Sequence, residues 1–319
     1  MFEVRTDLAL EEQERLQEQQ ESSRGISVRE EASEDGEIRV TTVQIKTENA
    51  GKMMGKPRGT YITLESSLLP EESGDYHRDI SRKLAELLWR LVPGKKKELS
   101  VLVAGLGNRS VTPDALGPQV ADNLCITRHL LEEYGSAAFA NGSVQAVSAV
   151  VPGVMAQTGM ETGEILSGII RQVRPDCLIA TDALAARSAR RLCRTIQISD
   201  TGICPGSGVG NHRHSITEKT VGVPVIALGI PTVVEAATIV QDSMAEFLRE
   251  LSRMDSMPSL TDSWEKLDEA EHRELVRGLL SPQLNQMFVT TKDIDAQIKQ
   301  MSYTVSEGIN LAFCPGFEA

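Results

Sequence analysis

Two aspartates stand where an acid can act in chemistry as well as carry charge. Asp114 lies in GLGNRSVTPDALGP (105–118), directly after the apolar run LSVLVA, and Asp182 lies in IATDALAAR, directly after the apolar CLIA. Each therefore sits where an α/β chain leaves a strand and turns toward a helix. In doubly wound sheets the loops at those carboxyl ends converge on one crevice. Two carboxyl groups in a crevice can share a proton, the ionised one activating water and the protonated one polarising a carbonyl. That is aspartic-type peptide hydrolysis, and such a pair titrates as a coupled unit. The structural alternative is that each acid caps the following helix by accepting hydrogen bonds from free backbone N–H groups.

The glycines of the first loop invite a comparison with nucleotide binding, which the neighbouring residues oppose. A dinucleotide fingerprint needs a third glycine where Ser110 stands, and Pro113 delays the helix. No G-K-[ST] follows, and Asp114 at the helix entry would repel a phosphate. His212 and His214 in GNHRHS form a candidate metal pair that Asp114 and Asp182 could complete, or else they are loop hydrogen-bonders. Cys204 opens the glycine-rich CPGSGVG, where backbone N–H groups could form an oxyanion hole with His212 as base. Pro205 removes one of those N–H groups. The alternative is a tight turn with Gly206, Gly208 and Gly210 at positive φ.

Further candidates flank these loops. Gly159, Met160 and Glu161 precede a helix at the same expected edge of the sheet and are candidate contacts for a substrate backbone. Arg109 and Arg187 are the cations nearest the two acids in sequence, and Asn108 adjoins Arg109. Each also reads as an ordinary surface, capping or ion-pairing residue.

The elements that must position these residues follow from the hydrophobic pattern. EIRVTTVQIKT (37–47) and TYITLE (60–65) alternate as paired strands, joined by the glycine-containing loop AGKMMGKPRG. A helix over about 75–91 precedes the strand at 100–104. Then come a helix at 118–134, a strand at 144–152, a helix at 162–173 and a strand at 177–184. TIQI (195–198) and VPVIALGIP (223–231) read as further strands, the second followed by the helix VVEAATIVQDSMAEFLREL. Continuously apolar strands alternating with helices predict an α/β fold, its largely parallel, mixed sheet covered by helices on both faces. Residues 10–37, rich in Glu, Gln and Ser, read as an exposed helix and linker outside the core. Residues 254–290 read as a helical insertion or arm, and the apolar stripe Ile294, Ile298, Met301, Val305 and Ile309 predicts a C-terminal helix within 291–319 that packs on the sheet.

Bulk properties narrow the class. The chain has 319 residues, 40% of them apolar, enough for a large core. A net charge of -12 with scattered Lys and Arg gives no footprint for nucleic acid or an anionic membrane. Five widely spaced cysteines argue for reduced thiols and a cytoplasmic setting. Neither a secretory signal nor an apolar run of about 18 residues is evident.

Three stretches together resemble the germination proteases of spore-forming bacteria: RTDLALE, GLGNRSVTPDALGP, and VPGVMAQTGMETGEILSGII followed by PDCLIATDALAARS. The likeness extends to DTGICPGSGVGNHR and TYITLES. The resemblance implies an atypical aspartic endopeptidase that degrades small acid-soluble spore proteins, is made as a zymogen and needs no cofactor. It implies Asp114 and Asp182 as the catalytic pair, a homotetramer, a location in the spore core, and a fold like that of hydrogenase maturation proteases (phosphorylase/hydrolase-like). In those proteases a similar loop leads to a nickel-binding acid, so a metal-dependent relative is one alternative and a non-catalytic peptide- or nucleotide-binding module another. The family's substrates are cut after an acid that is followed by a large apolar residue, Ala, a variable position and Glu. Asp7-Leu8-Ala9-Leu10-Glu11 has that form, which implies self-cleavage between Asp7 and Leu8 and a propeptide of residues 1–7. Residues 8–98 would then form an N-terminal extension and 99–253 the catalytic core.

Overall fold

The computed structural model describes residues 6–18, 24–71, 74–94, 96, 98–136, 139, 144–210, 213–253, 266–267, 269–281 and 283–315. The strands among them are β1 (Ile26–Ala32), β2 (Arg39–Ile45), β3 (Gly59–Glu65), β4 (Ser100–Gly105), β5 (Ala146–Val150), β6 (Cys177–Ala186), β7 (Thr195–Ser199), β8 (Val225–Glu235) and β9 (Phe288–Val289). They form one mixed sheet in the order β1-β2-β3-β7-β8-β6-β4-β5, with β9 added against β8. The run β5-β4-β6-β8 is parallel. β7 reverses direction against β8, and β3, β2 and β1 continue the antiparallel part.

The parallel strands are apolar because both of their faces are covered. Along β4, Val101 and Val103 enter one core while Leu102 and Ala104 enter the other, and β6 splits Cys177 and Ile179 from Leu178 and Ala180 in the same way. The first face is covered by α3 (Gly74–Leu91), α4 (Leu116–Asp122) and the C-terminal helix Ile294–Phe313. On α3 the buried residues Ile80, Leu84, Leu87 and Leu88 recur at helical spacing, as do Ile298, Met301, Val305 and Ile309 on the C-terminal helix. The second face is covered by the helix Thr162–Val173 through Leu166 and Ile170, with Val221 from the short helix Glu218–Val221. Among the described residues no helix is long and apolar enough to cross a membrane.

Three local expectations are corrected. The stretch 118–134 is two helices, α4 and Arg128–Tyr134, with residues 124–127 in neither. The loop between β2 and β3 contains the helix α2 (Glu48–Met54), capped by Thr47 and buried through Ala50 and Met54. Residues 10–37 are not simply exposed. Helix α1 (Ala9–Glu18) buries Ala9 and Leu16 against Val43, Tyr61 and Met54, and Ile26–Ala32 adds β1 to the sheet edge. That burial comes from tertiary partners, and its buried acids Glu11 and Glu12 mask it in the composition.

Past α9 (Ala236–Arg253), residues 254–265 and 268 lie outside the described residues. The acidic stretch beyond them supplies the helix Glu269–Leu279, which packs on α9.

Candidate active site

The site forms where β4 stops and β6 continues. Gly105, the last residue of β4, pairs with Thr181, and the Leu106 amide then donates to the Thr181 carbonyl at 2.8 Å. Asp182 is the next residue along β6, so it lies inside a strand and not in the loop expected after it. Its β4-side neighbour has just turned away, which opens the switch-point crevice beside it. β6 and β8 run on past this point to Ala186 and Val234, with a register shift between Leu184 and Ala185.

The departing chain folds back and delivers Asp114. Residues Thr112–Asp114 form a single 3-10 turn, and the Asn108 amide donates to Asp114 Oδ2 at 2.7 Å. Gly107 makes this possible: its φ is +110, and a Cβ there would come within 2.0 Å of the Asp114 carbonyl oxygen. Asp114 therefore closes its own loop, and the capping alternative fails for the next helix, because α4 begins at Leu116 with no side-chain cap. The Asp182 carboxylate accepts from the following amide, Ala183 N, at 2.9 Å.

Asp114 and Asp182 line one cavity of about 380 Å³ together with Asp7 from the N-terminal segment. Arg213 is the only cation among the described lining residues. Burial pushes the Asp114 carboxyl above its ordinary value, opposed by the Asn108 amide and the Arg213 charge. Asp182 is raised well above the ordinary range, first by burial and then by the charges of Asp114 and Asp7. The asymmetry follows from environment: both acids are shifted upward, and Asp182, the more buried and facing two like charges, is shifted further.

The other candidates fall in different places. Asn108 touches the pair through its backbone amide, while its side chain accepts from Ser110 N and Gln157 Nε2. Arg109 is exposed and paired with Asp122, and does not line the cavity. Gly159, Met160 and Glu161 do not line it either. Glu161 stands at the N-cap position of the helix beginning at Thr162, its amide donating to Glu164 Oε2 at 3.0 Å, and Thr162 itself reaches the cavity wall. The Arg187 side chain lies 3.9 Å from Asp242, while its backbone amide meets Glu11. Cys204 donates its thiol to the Arg213 carbonyl, and burial with the Asp7 charge raises its pKa, the wrong direction for a nucleophilic thiolate. His212 lies outside the described residues, and His214 does not line the cavity. Among the described residues no group of three or more His, Cys, Asp or Glu is arranged to hold a metal ion.

Five residues that hold the N-terminal segment or line the cavity escape the sequence reading: Lys56 and Gln197 at the Asp7 carbonyl, Ser207 at the Asp7 carboxylate, Arg191 beside Glu11, and Arg213 in the cavity wall. Gln197 left a signal, being a long polar side chain between Ile196 and Ile198 in the strand TIQI. Arg213 sat between two histidines that drew the attention.

The fold and site thus define an α/β protein with two carboxyl groups lining one cavity at the switch point of its sheet. A family model described as germination protease matches residues 3–260, and the chain belongs to that family of peptidases. A germination protease of Caldanaerobacter subterraneus subsp. tengcongensis is 47% identical over 314 residues, spanning 98% of this chain and 95% of its own. One of Clostridium perfringens (strain ATCC 13124) is 41% identical over 316 residues, spanning 99% and 96%. Among solved structures, a NiFe hydrogenase maturation protease HycI from Thermococcus kodakarensis KOD1 is 19% identical. It overlaps 46% of this chain and 80% of its own with a TM-score of 0.28, too low to bear on fold or mechanism.

Proposed function

We propose that this peptidase is an endopeptidase of aspartic type, that Asp114 and Asp182 are its catalytic pair, and that it cuts itself between Asp7 and Leu8. The observation that carries the reading is the shared cavity of Asp114, Asp182 and Asp7, in which burial first, and then the charges of the other two, push Asp182 toward its protonated form. Ionised Asp114 takes a proton from water as the water oxygen bonds to the carbonyl carbon. Asp182 gives its proton to the carbonyl oxygen, leaving a tetrahedral diol. Asp114 then passes its proton to the amide nitrogen, Asp182 recovers one from a diol hydroxyl, and the C–N bond breaks. Both carboxyls return to their starting states.

The external substrates in this reading are small acid-soluble spore proteins, degraded in the spore core on germination. The assembly is a homotetramer, and the activity needs no cofactor, nucleic acid or membrane. Incubation with a peptide containing Glu-Ile-Ala-Ser-Glu tests the reading. The expected product ends at the first Glu; an intact peptide after prolonged incubation with self-processed protein contradicts it.

A further inference from the structure

The segment around Asp7 is seated along the end of β6 with its side chains held one by one. The Asp7 amide donates to the Ala185 carbonyl at 3.0 Å. Its carboxylate accepts from the Ala185 amide at 2.9 Å and from the Ser207 hydroxyl at 2.7 Å. Gly208 floors this pocket, where a Cβ would stand 2.3 Å from Asp7 Oδ2. No larger residue fits there while a carboxylate occupies it.

The following residues are held as specifically. Leu8 is fully buried against Leu184 and Ala186. Ala9 is also fully buried, leaving no room for a longer side chain. Gln197 spans the bond between Asp7 and Leu8, donating to the Asp7 carbonyl at 2.7 Å and accepting from the Ala9 amide at 2.6 Å. Glu11 accepts from the amides of Arg187 (2.8 Å) and Ser188 (2.9 Å), with Arg191 at 3.5 Å. Lys56 adds a second donor to the Asp7 carbonyl at 3.0 Å, so both lone pairs of that oxygen are engaged by groups outside the pair.

We infer that this groove is the peptidase's substrate cleft, occupied by the chain's own N-terminal segment, and that Ser207 with the Ala185 amide selects the acid before the cut. The Arg187 and Ser188 amides, backed by Arg191, select the acid four residues after it. Charge-assisted hydrogen bonds give such sites their discrimination, because a neutral isostere leaves donors less well matched. This assignment rests on the reading of Asp7–Leu8 as the bond cut.

The test is a two-by-two comparison of self-processing rates: the wild-type chain, Asp7→Asn, Ser207→Ala and the double variant. Ser207 is exposed, so its loss of one hydroxyl leaves the fold intact, which a thermal melt checks. Each single change is expected to slow processing about tenfold or more, the scale of a hydrogen bond to a charged group. The double variant should be scarcely slower than Asp7→Asn alone, because the two groups act on each other. The same comparison is run in trans, with peptides carrying Asp or Asn before Leu-Ala-Leu-Glu, where the Asp-over-Asn preference should fall about tenfold in Ser207→Ala. Effects that simply multiply, or an unchanged preference, overturn the assignment while leaving the peptidase reading standing. A wild-type chain that neither processes itself nor cuts either peptide overturns that reading, and this assignment with it.

Discussion

The parallel and antiparallel halves of the sheet contribute different things to the site. The parallel half supplies both acids, one from the loop after β4 and one from within β6. Much of what grips the N-terminal segment comes from beyond it: Gln197 lies on β7, Lys56 lies between α2 and β3, and Arg191 precedes β7. The chemistry therefore sits within or just beyond doubly covered strands, and much of the recognition sits on the elements beside them. A carboxyl buried on a parallel strand is raised in pKa by desolvation, which is the largest cause of the Asp182 shift.

The sharpest way to break this division is to neutralise the acids singly. Asp114→Asn and Asp182→Asn should each lower self-processing and peptide cleavage about 10³-fold or more, the scale of positioned acid–base groups. Both variants should melt cooperatively, and retained activity in either removes the pair from the chemistry. A smaller effect is expected at the recognition end. Glu11→Gln removes a charge from a carboxylate that accepts two backbone amides and faces Arg191. Self-processing timed by gel should slow about tenfold, with the chain still folded. An unchanged rate would place recognition elsewhere.

The smallest expected effect is on stability, and its sign follows from the raised carboxyl. In the folded chain Asp182 holds its proton well above the ordinary carboxylate range. The unfolded chain releases that proton near pH 4, so stability is fully present below that pH and is lost as pH rises toward the folded value. Asp182→Asn removes this loss. The variant should melt a few degrees higher than the wild-type chain near neutral pH, with the gap closing below about pH 4. A gap that widens in acid would mean that Asp182 is ionised in the folded state.

The same contrast explains what the sequence disclosed. Strands buried on both faces are written in unbroken apolar letters, so Asp114 and Asp182 stood out at their ends and the α/β alternation was legible. Even there the end of β6 was misjudged: Asp182 reads as the first loop residue, but β8 continues beside it and keeps it in the sheet. The recognition groups were not legible, because Lys56, Ser207 and Arg191 look like ordinary polar residues until tertiary structure brings the N-terminal segment beside them. The burial of helix α1 and the presence of β1 are not legible in the sequence for a related reason. Their acids are satisfied by partners far along the chain, such as Glu14 by Arg191 at 2.7 Å, which no local pattern records.

The most direct test is the mass of the chain after incubation, read together with its N-terminal sequence. The account predicts that the wild-type chain loses residues 1–7 and begins at Leu8, while Asp114→Asn and Asp182→Asn keep their original N-terminus under the same conditions. A new N-terminus at any other residue, or processing that proceeds in both variants, contradicts it.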